Sequence, residues 1–364
     1  MINPSVFYDY QCFMSPYGGN PLYFSELARG GNYKAILPHS FNTCNVYYRE
    51  ITGNWIYPTN LGKYANYAQY FGYGYFNKKM CTEILKKQEF DVFHPTYYDP
   101  YFLPFLKEKP FVVMVPDMTH EIFPYMFGNA ETITTNKALL MDGAAKIITL
   151  TESTKRDIIN LGGIDGSKII VIPLATSLNP SATRSCDLPE DYILFVGNRE
   201  IYKNFGIFAR VVSLLMKNNK NLYLVCAGGG AFSQSEINLF SFLGILQKIR
   251  YHQICGDLAE VYKRARIFVF PSLYEGFGVP TIEAMSCGCP VCCSNTSAFL
   301  EVGGNAAYYF NPYDAEDMKV SIEYLIKHPD YCSFLKEQGF KQAAKFSWDK
   351  TRERTSEVYR GVCL

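Results

Sequence analysis

The chain has 364 residues, of which 48% are hydrophobic and 19% are charged, a composition that excludes a mostly disordered protein. Because a single core stops growing at about 250–300 residues, we expect two domains. The 35 basic and 34 acidic side chains leave a net charge of +1. This balance provides no net positive charge that would attract nucleic acid, and we expect no nucleic-acid partner. No apolar run reaches about 18 residues, so no transmembrane helix is expected.

The start of the chain, Met1-Ile2-Asn3-Pro4, lacks the basic residues and apolar run of a signal peptide, and we expect a cytoplasmic protein. Most of the twelve cysteines fall in apolar runs, where free Cys behaves as a small hydrophobe. Cys289-Pro-Val-Cys292 has CxxC spacing, but it continues into an apolar strand and has no second ligand pair at suitable spacing. We therefore predict neither a metal site nor a redox site there.

Short apolar, β-prone runs alternate with helical stretches in both halves of the chain. The first half contains predicted strands at Tyr33–Leu37, Asp91–His94, Phe111–Val115, Lys146–Leu150 and Lys168–Ile172, with helices such as Lys78–Gln88 and Thr134–Gly143. The second half contains predicted strands at Tyr192–Val196, Leu222–Ala227, Ile267–Phe270, Pro290–Ser294 and Ala307–Phe310, with helices near Phe205–Lys217, Ser233–Leu246, Leu258–Ala265 and Thr281–Cys287. Ser177–Pro189 is the predicted linker, and Ser347–Val362 a polar amphipathic tail helix. This alternation predicts βαβ units, parallel sheets and ligands at the carboxyl ends of the strands.

The segment 268–290 is the most informative, because a strand is followed there by a glycine-bearing turn and by a helix that opens with proline. Gly276 and Gly278 allow backbone amides to approach a ligand, and the N-terminus of the helix suits a phosphate. Glu275 lies at the turn, where it could meet a sugar hydroxyl. Glu283 lies about one turn into the helix, where it could accept two ribose hydroxyls. A purely structural turn with a capping carboxylate fits the same geometry.

A second cluster follows the strand that ends before Gly197. Arg199 and Lys203 lie four residues apart and could clamp a diphosphate, although a solvated basic turn is the alternative. Gly18-Gly19 precedes a helical run and could bring amides near a phosphate. The triplet Gly228–Gly230 is interpreted as a flexible turn. Neither G-x-G-x-x-G nor G-x-x-x-x-G-K-[ST] is present, which argues against a dinucleotide oxidoreductase and a P-loop NTPase.

The run Pro-Ser-Leu-Tyr-Glu275-Gly-Phe-Gly-Val-Pro-Thr-Ile-Glu283-Ala-Met-Ser-Cys-Gly-Cys-Pro-Val strongly resembles the signature of retaining glycosyltransferases of family 4, which have the GT-B fold. The core of that signature is two glutamates separated by seven residues. With Val196–Arg199 and Lys203-Asn204, the resemblance extends over most of Asp191–Tyr359. The N-terminal half more loosely resembles a bacterial branch that builds surface polysaccharides and contains many mannosyltransferases.

The resemblance implies an α/β protein of the GT-B fold, in which two Rossmann-like domains have parallel sheets that face each other across a cleft. Residues 1–178 are expected to bind the acceptor, 179–345 to bind the nucleotide sugar, and 346–364 to form a helix that crosses back to the first domain. The implied reaction is a retaining, metal-independent transfer without a cofactor. A hexosyl group would move from a donor of the GDP-mannose or UDP-glucose type to a glycan or lipid-linked acceptor, in the latter case with peripheral membrane contact.

The resemblance also assigns roles to individual residues. Arg199, Lys203 and Glu275 are the predicted catalytic residues, the two cations neutralising the leaving diphosphate. The predicted substrate-binding residues are Gly18, Gly19, Asp117, His120, Gly197, Gly276, Phe277, Gly278, Val279 and Glu283.

Two alternatives remain. The branch reads His-Asp-Met where this chain has Pro116-Asp117-Met118, and Gly-Gly-Ile-Ser-Arg-Tyr where it has Gly18-Gly19-Asn20-Pro21-Leu22-Tyr23. These departures leave open a catalytically weak, nucleotide-sugar-binding scaffold protein. A sugar-phosphate synthase on the same fold is the other alternative.

Overall fold

A computed structural model describes residues 3–38, 41, 43–53, 63–181 and 186–363, with only the backbone given for 63–71. The chain divides into two compact units. The first unit consists of Met1–Leu174 and Ser347–Leu364, and the second of Ala175–Phe346. Residues 182–185 of the predicted linker lie outside the described residues, and its described residues, 177–181 and 186–189, fall within the second unit.

The strands and helices of the described residues alternate along the chain. The strands are β1 (Ser5–Tyr8), β2 (Lys34–Ile36), β3 (Val92–His94), β4 (Val112–Met114), β5 (Lys146–Thr149), β6 (Ile169–Val171), β7 (Tyr192–Val196), β8 (Tyr223–Ala227), β9 (Ile249–His252), β10 (Ile267–Phe270), β11 (Val291–Ser294) and β12 (Ala307–Phe310). The α-helices are α1 (Gly19–Arg29), α2 (Val46–Thr52), α3 (Lys63–Lys87), α4 (Leu103–Leu106), α5 (Thr119–Ile122), α6 (Ala130–Gly143), α7 (Glu152–Gly162), α8 (Phe205–Asn218), α9 (Gln234–Phe242), α10 (Leu258–Arg264), α11 (Val279–Ser286), α12 (Phe299–Gly303), α13 (Ala315–Lys327), α14 (Pro329–Ala343) and α15 (Trp348–Val362). Short 3-10 helices lie at Cys12–Met14, Pro124–Met126, Gly166–Lys168, Ile201–Lys203, Leu246–Lys248 and Gly304–Ala306.

The first unit contains parallel strands in the orders β2-β1-β3 and β4-β5-β6, and a parallel bridge between Phe93 and Phe111 joins the two sets. Sequence reasoning missed β1, although Val6, Phe7 and Tyr8 in it are fully buried. This strand pairs with β2 on one side and with β3 on the other. Its central place in the sheet therefore comes from long-range pairing rather than from a local signal.

The tail helix α15 packs within the first unit. The side chain of Ser347 caps its N-terminus by accepting a hydrogen bond from the amide of Lys350. Near its other end, the buried hydroxyl of Tyr359 lies 3.0 Å from that of Tyr8 and 2.7 Å from Nδ1 of His94. Burial lowers the pKa of His94 to about 3, so its imidazole is neutral at pH 7. The predicted tail helix is thus confirmed.

The second unit has one sheet of six parallel strands, ordered β12-β11-β10-β7-β8-β9. Apolar residues cover both faces of this sheet, which explains why its strands are nearly continuous apolar runs. The edge strand β9 was not predicted, because the exposed Arg250 interrupts its apolar pattern. The strand order reverses between β7 and β10, and a crevice at such a reversal is where α/β proteins bind ligands.

Candidate functional site

Two loops meet at the carboxyl ends of β7 and β10, where the strand order of the second sheet reverses. One loop, 197–204, follows β7 and the other, 271–278, follows β10. The amide of Leu273 donates a 2.8 Å hydrogen bond to the carbonyl of Tyr202, which ties the two loops together. The sheet topology thus brings together two segments that are about 70 residues apart in the chain and that the sequence marks separately.

Lys203 and Glu275 form an ion pair between these loops. Nζ of Lys203 lies 2.5 Å from Oε1 of Glu275, and the two side chains are only 14% and 12% exposed. The ammonium group also lies over the rings of Tyr202 and Phe270, at 4.8 and 5.4 Å. The amide of Glu275 donates to the hydroxyl of Ser297 at 3.1 Å. The structure therefore places two of the three predicted catalytic residues in direct contact.

The turn after β10 leads directly into α11. Gly278 has φ +81°, and a Cβ there would lie 3.3 Å from the ring of Phe299, so glycine suits both the backbone conformation and the close packing. The predicted contact residue Phe277 has a buried side chain that packs edge-on against Phe346 at 5.5 Å. The fully buried hydroxyl groups of Ser272 and Thr281, on either side of the turn, have no hydrogen-bond partner within the described residues.

Glu283 lies one turn into α11, and its Oε2 accepts a 3.0 Å hydrogen bond from the hydroxyl of Tyr262 on α10. Burial raises the pKa of Glu283 to about 7, although the bond from Tyr262 acts in the opposite direction. Donors from a ligand would favour the ionised form. Sequence reasoning missed Tyr262, whose apolar position on a short helix looks like ordinary core.

The guanidinium of Arg199 is bound by the protein itself. Its Nε lies 2.5 Å from Oε1 of Glu236, and its two terminal nitrogens donate to the carbonyls of Gly228, Gly230 and Ala231 at 3.2, 2.8 and 3.2 Å. The side chain is 4% exposed. The clamp role predicted for Arg199 stays a prediction, and the structure directs most of its donors to these protein acceptors.

Four predicted residues lie in the first unit. Gly18, with φ +145°, precedes the first residue of α1, Gly19. Asp117 follows β4, and its Oδ1 accepts from the amide of Thr119 at 2.9 Å. The ring of His120 packs on that of Phe127 with 4.5 Å between centroids.

A buried lysine that sequence reasoning missed supports the turn containing Asp117 and His120. Nζ of Lys137 donates to the Asp117 carbonyl at 3.2 Å and to Oε2 of Glu121 at 2.9 Å, and the side chain is 1% exposed. Burial and the charge of Lys137 together lower the pKa of His120. At pH 7 the imidazole is therefore mainly neutral and can both donate and accept a hydrogen bond.

Two further observations concern only the described part of the chain. It contains no group of three or more His, Cys, Asp or Glu residues placed to hold a metal ion. None of its helices is long and apolar enough to cross a membrane.

Cys289 and Cys292 are buried free thiols whose pKa values burial raises, so they are poor nucleophiles and poor ligands in this form.

Residues 185–342, which include both loops and α11, match the family model described as Glycosyl transferases group 1. The chain carries a group 1 glycosyltransferase domain. The resemblance noted in the sequence is thereby confirmed, and the signature residues Glu275 and Glu283 fall inside the matched region.

The chain is also similar to the O-antigen chain mannosyltransferase B of Escherichia coli. The two are 30% identical over 235 residues, which is 60% of this chain and 61% of that protein. The serotype-specific mannosyltransferase WbdA of the same species is 28% identical over 61% of this chain and 28% of its own length. The matches thus span less than two thirds of these curated relatives.

Two solved structures resemble the whole chain. A sucrose-phosphate synthase from Thermosynechococcus elongatus has a TM-score of 0.75 at 16% identity, covering 99% of each chain. HepE of Anabaena, solved in complex with UDP and glucose, has a TM-score of 0.75 at 14% identity, covering 98% of this chain and 99% of its own. At such identities the likeness shows the fold, and it confirms the predicted GT-B class with two Rossmann-like α/β units.

Proposed function

We propose that this chain is a retaining glycosyltransferase of polysaccharide biosynthesis. It moves a hexosyl group from a nucleotide diphosphate sugar, of the GDP-mannose or UDP-glucose type, to a glycan or lipid-linked saccharide. The observation that carries the proposal is the Lys203–Glu275 pair at the reversal of strand order, next to the N-terminus of α11. The similarity to an O-antigen mannosyltransferase supports a mannosyl donor, and the likeness to a fold solved with UDP and glucose supports a uridine one.

The donor diphosphate lies, in this proposal, against the N-terminus of α11. The dipole of this helix favours an anion there. Lys203 then has two anionic partners, Glu275 and the diphosphate, and its charge stabilises the negative charge that develops on the leaving group. Glu275, which lies in the turn itself, can still accept a hydrogen bond from a hydroxyl of the transferred sugar. The cation and the helix provide this stabilisation without a metal or a cofactor.

The transfer exchanges one bond for another at the anomeric carbon. The bond to the terminal phosphate oxygen breaks, and its electron pair leaves with the nucleoside diphosphate. The acceptor oxygen forms the new bond on the same face, and its proton passes to the leaving phosphate. This route retains the configuration and needs no covalent bond to Glu275. Glu283, held by Tyr262, accepts the ribose hydroxyls once it is ionised.

Gly18, Gly19, Asp117 and His120 of the first unit remain proposed substrate-binding residues. The neutral His120 and the oxygens of Asp117 present donors and acceptors suited to sugar hydroxyls. A cytoplasmic location and peripheral membrane contact, where the acceptor is lipid-linked, belong to the same proposal.

The direct test is incubation of the purified protein with GDP-mannose or UDP-glucose and a panel of saccharide and phosphosugar acceptors, with and without a chelator. Released nucleotide and glycosylated product are followed by mass spectrometry, and Lys203→Met provides the background. We expect an α-linked product from one donor in both conditions. Donor binding without transfer or hydrolysis would instead support the scaffold alternative, and a sugar-phosphate ester as the product would support the synthase.

A further inference from the structure

Arg199, whose side chain is 4% exposed, is the centre of a polar cluster that the proposed reaction does not use. It directs four donor contacts at protein acceptors, namely the carboxylate of Glu236 and three carbonyls of the loop after β8. Its guanidinium also lies 5.1 Å from the ring of Phe232. A guanidinium has five N–H donors, so at most one is left for a ligand. An arginine in this arrangement is poorly placed to bind a diphosphate through bidentate hydrogen bonds.

Glu236 holds Arg199 from the first turn of α9. Its Oε2 accepts from both the amide and the hydroxyl of Ser233 at 2.7 Å, which completes a capping box, while Oε1 accepts from Arg199. Burial raises the pKa of Glu236, but the bonds from Ser233 and Arg199 outweigh it and leave the pKa below its usual value. The carboxylate is therefore charged at pH 7 and anchors the arginine.

The loop that Arg199 binds has an unusual backbone. Gly228, Gly229 and Gly230 all have φ between +70° and +79°. A Cβ at Gly229 would lie 2.3 Å from the carbonyl oxygen of Gly197, so this loop packs tightly on the loop after β7. Such a conformation suits glycine and is costly for other residues. The sequence suggests flexibility here, whereas the structure shows a loop held by hydrogen bonds.

In a trans peptide the N–H and C=O groups point in opposite directions, and no peptide bond of the described chain is cis. Arg199 attracts the carbonyls of Gly228, Gly230 and Ala231, so the amides of the next residues, Gly229, Ala231 and Phe232, point away from it. Within the described part of the chain, no protein acceptor receives a hydrogen bond from these three amides. They are free to bind oxygen atoms of a ligand.

The place of the loop in the fold indicates which part of a ligand these amides meet. β8 pairs with β7 and β9, and the amide of Gly228 donates to the carbonyl of His252 at the end of β9. Glu283, the proposed ribose ligand, bonds to Tyr262 of α10, the helix that follows β9. We infer that a ribose held at Glu283 directs its base towards the ends of β8 and β9.

We propose that Arg199 and Glu236 are positioning residues, which fix the loop Gly228–Phe232 so that its amides bind oxygen acceptors of the nucleoside. This inference rests on the proposed function, and it replaces the diphosphate clamp predicted for Arg199. Lys203 and α11 alone then neutralise the diphosphate.

The test measures the affinities of UMP, UDP, GMP and GDP by calorimetry for the wild-type chain and for Arg199→Lys, Arg199→Ala and Glu236→Gln. Arg266→Ala is the matched control, because Arg266 also binds a carboxylate, Asp191, and a carbonyl, but at the amino end of β7. Hydrogen exchange of the peptide covering the loop is measured on the same samples without ligand. Glu236→Gln keeps a carbonyl oxygen for Ser233, so it separates the loss of the Arg199 anchor from the loss of the helix cap.

We expect all three test variants to weaken the monophosphate and the diphosphate of the bound base by the same factor, about tenfold for one or two lost hydrogen bonds. Exchange of the Gly228 amide, which donates to the carbonyl of His252, becomes faster, and Arg266→Ala changes neither measurement. A selective loss of diphosphate affinity, with Arg199→Lys close to wild type, would restore the clamp and overturn the inference. Unchanged exchange of the Gly228 amide would overturn it whatever the affinities. Failure of the wild type to bind any nucleotide would refute the proposed function as well.

Discussion

Replacing Lys203 by methionine separates its structural effect from its chemical one. The change leaves Glu275 as an unpaired carboxylate with 12% exposure. Breaking a fully buried pair costs about 3–5 kcal/mol, and the remaining exposure places this pair at the low end, about 3 kcal/mol. For a unit of this size the corresponding drop in melting temperature is about 6–12 °C. Loss of a positioned charge from a reaction site lowers kcat by about 10²–10³-fold.

The double variant Lys203→Met/Glu275→Gln distinguishes the two effects. It leaves no unpaired charge, so we expect it to recover most of the melting temperature while transfer stays low. Lys319→Met is the control, because its partner Glu316 is 69% exposed and such a pair contributes about 0–1 kcal/mol. The assays are thermal melting and release of nucleotide from the donor. Normal transfer by Lys203→Met, in a folded protein, would refute the role given to this cation.

Three further changes test other parts of the account. Gly278→Ala puts a side chain at a left-handed backbone position that faces the core, so we expect the free energy of unfolding to fall by about 1–3 kcal/mol and nucleotide binding to weaken. Gly206→Ala is the control, because a Cβ there meets nothing within 4 Å, and equal effects of the two substitutions would contradict the argument. Burial raises the pKa of Glu283 from its ordinary value of 4.5 to about 7 in the folded protein. The contribution of this group to the free energy of unfolding is therefore fully present below pH 4.5 and is lost as the pH rises through 7. Wild-type melting temperature should therefore fall more than that of Glu283→Gln between pH 5 and 8, and parallel profiles would refute the assignment. Tyr359→Phe removes a hydroxyl with two buried partners and should cost about 1–3 kcal/mol, whereas Tyr313→Phe, at an exposed position, should cost nothing measurable; equal melting temperatures for the two would show that the buried hydroxyl network is unimportant.

Local patterns predicted most of the second unit, because its strands are buried on both faces and read as apolar runs. The edge strand β9 lacks such a pattern, and the apolar run of β1 is only three residues long, so pairing with neighbours defines both strands. The turn at Gly278 and the helix after it follow from proline and glycine, which restrict the backbone locally. These parts of the fold depend on short stretches of sequence, so sequence alone is sufficient for them.

The site was predictable where the signature is local, as for Glu275 and Glu283, and unpredictable where partners come from distant elements. The contact of Lys203 with Glu275 depends on the order of β7 and β10 in the sheet. The partner of Arg199, Glu236, lies 37 residues away at a helix start that itself resembles an ordinary capping box. From its spacing to Lys203 alone, Arg199 was predicted to bind a phosphate. The sequence could not show that the carboxylate of Glu236 already bonds to this arginine.

The central claim is that the loops at the carboxyl ends of β7 and β10 bind a nucleotide sugar through Lys203 and α11, and its most direct test is calorimetric titration. The purified protein is titrated with UDP, GDP, ADP and their hexose conjugates, with and without magnesium. The account predicts binding of one nucleotide family with an affinity that magnesium does not change and that Lys203→Met strongly weakens. Absence of binding by every nucleotide, or equal binding by Lys203→Met, would contradict it.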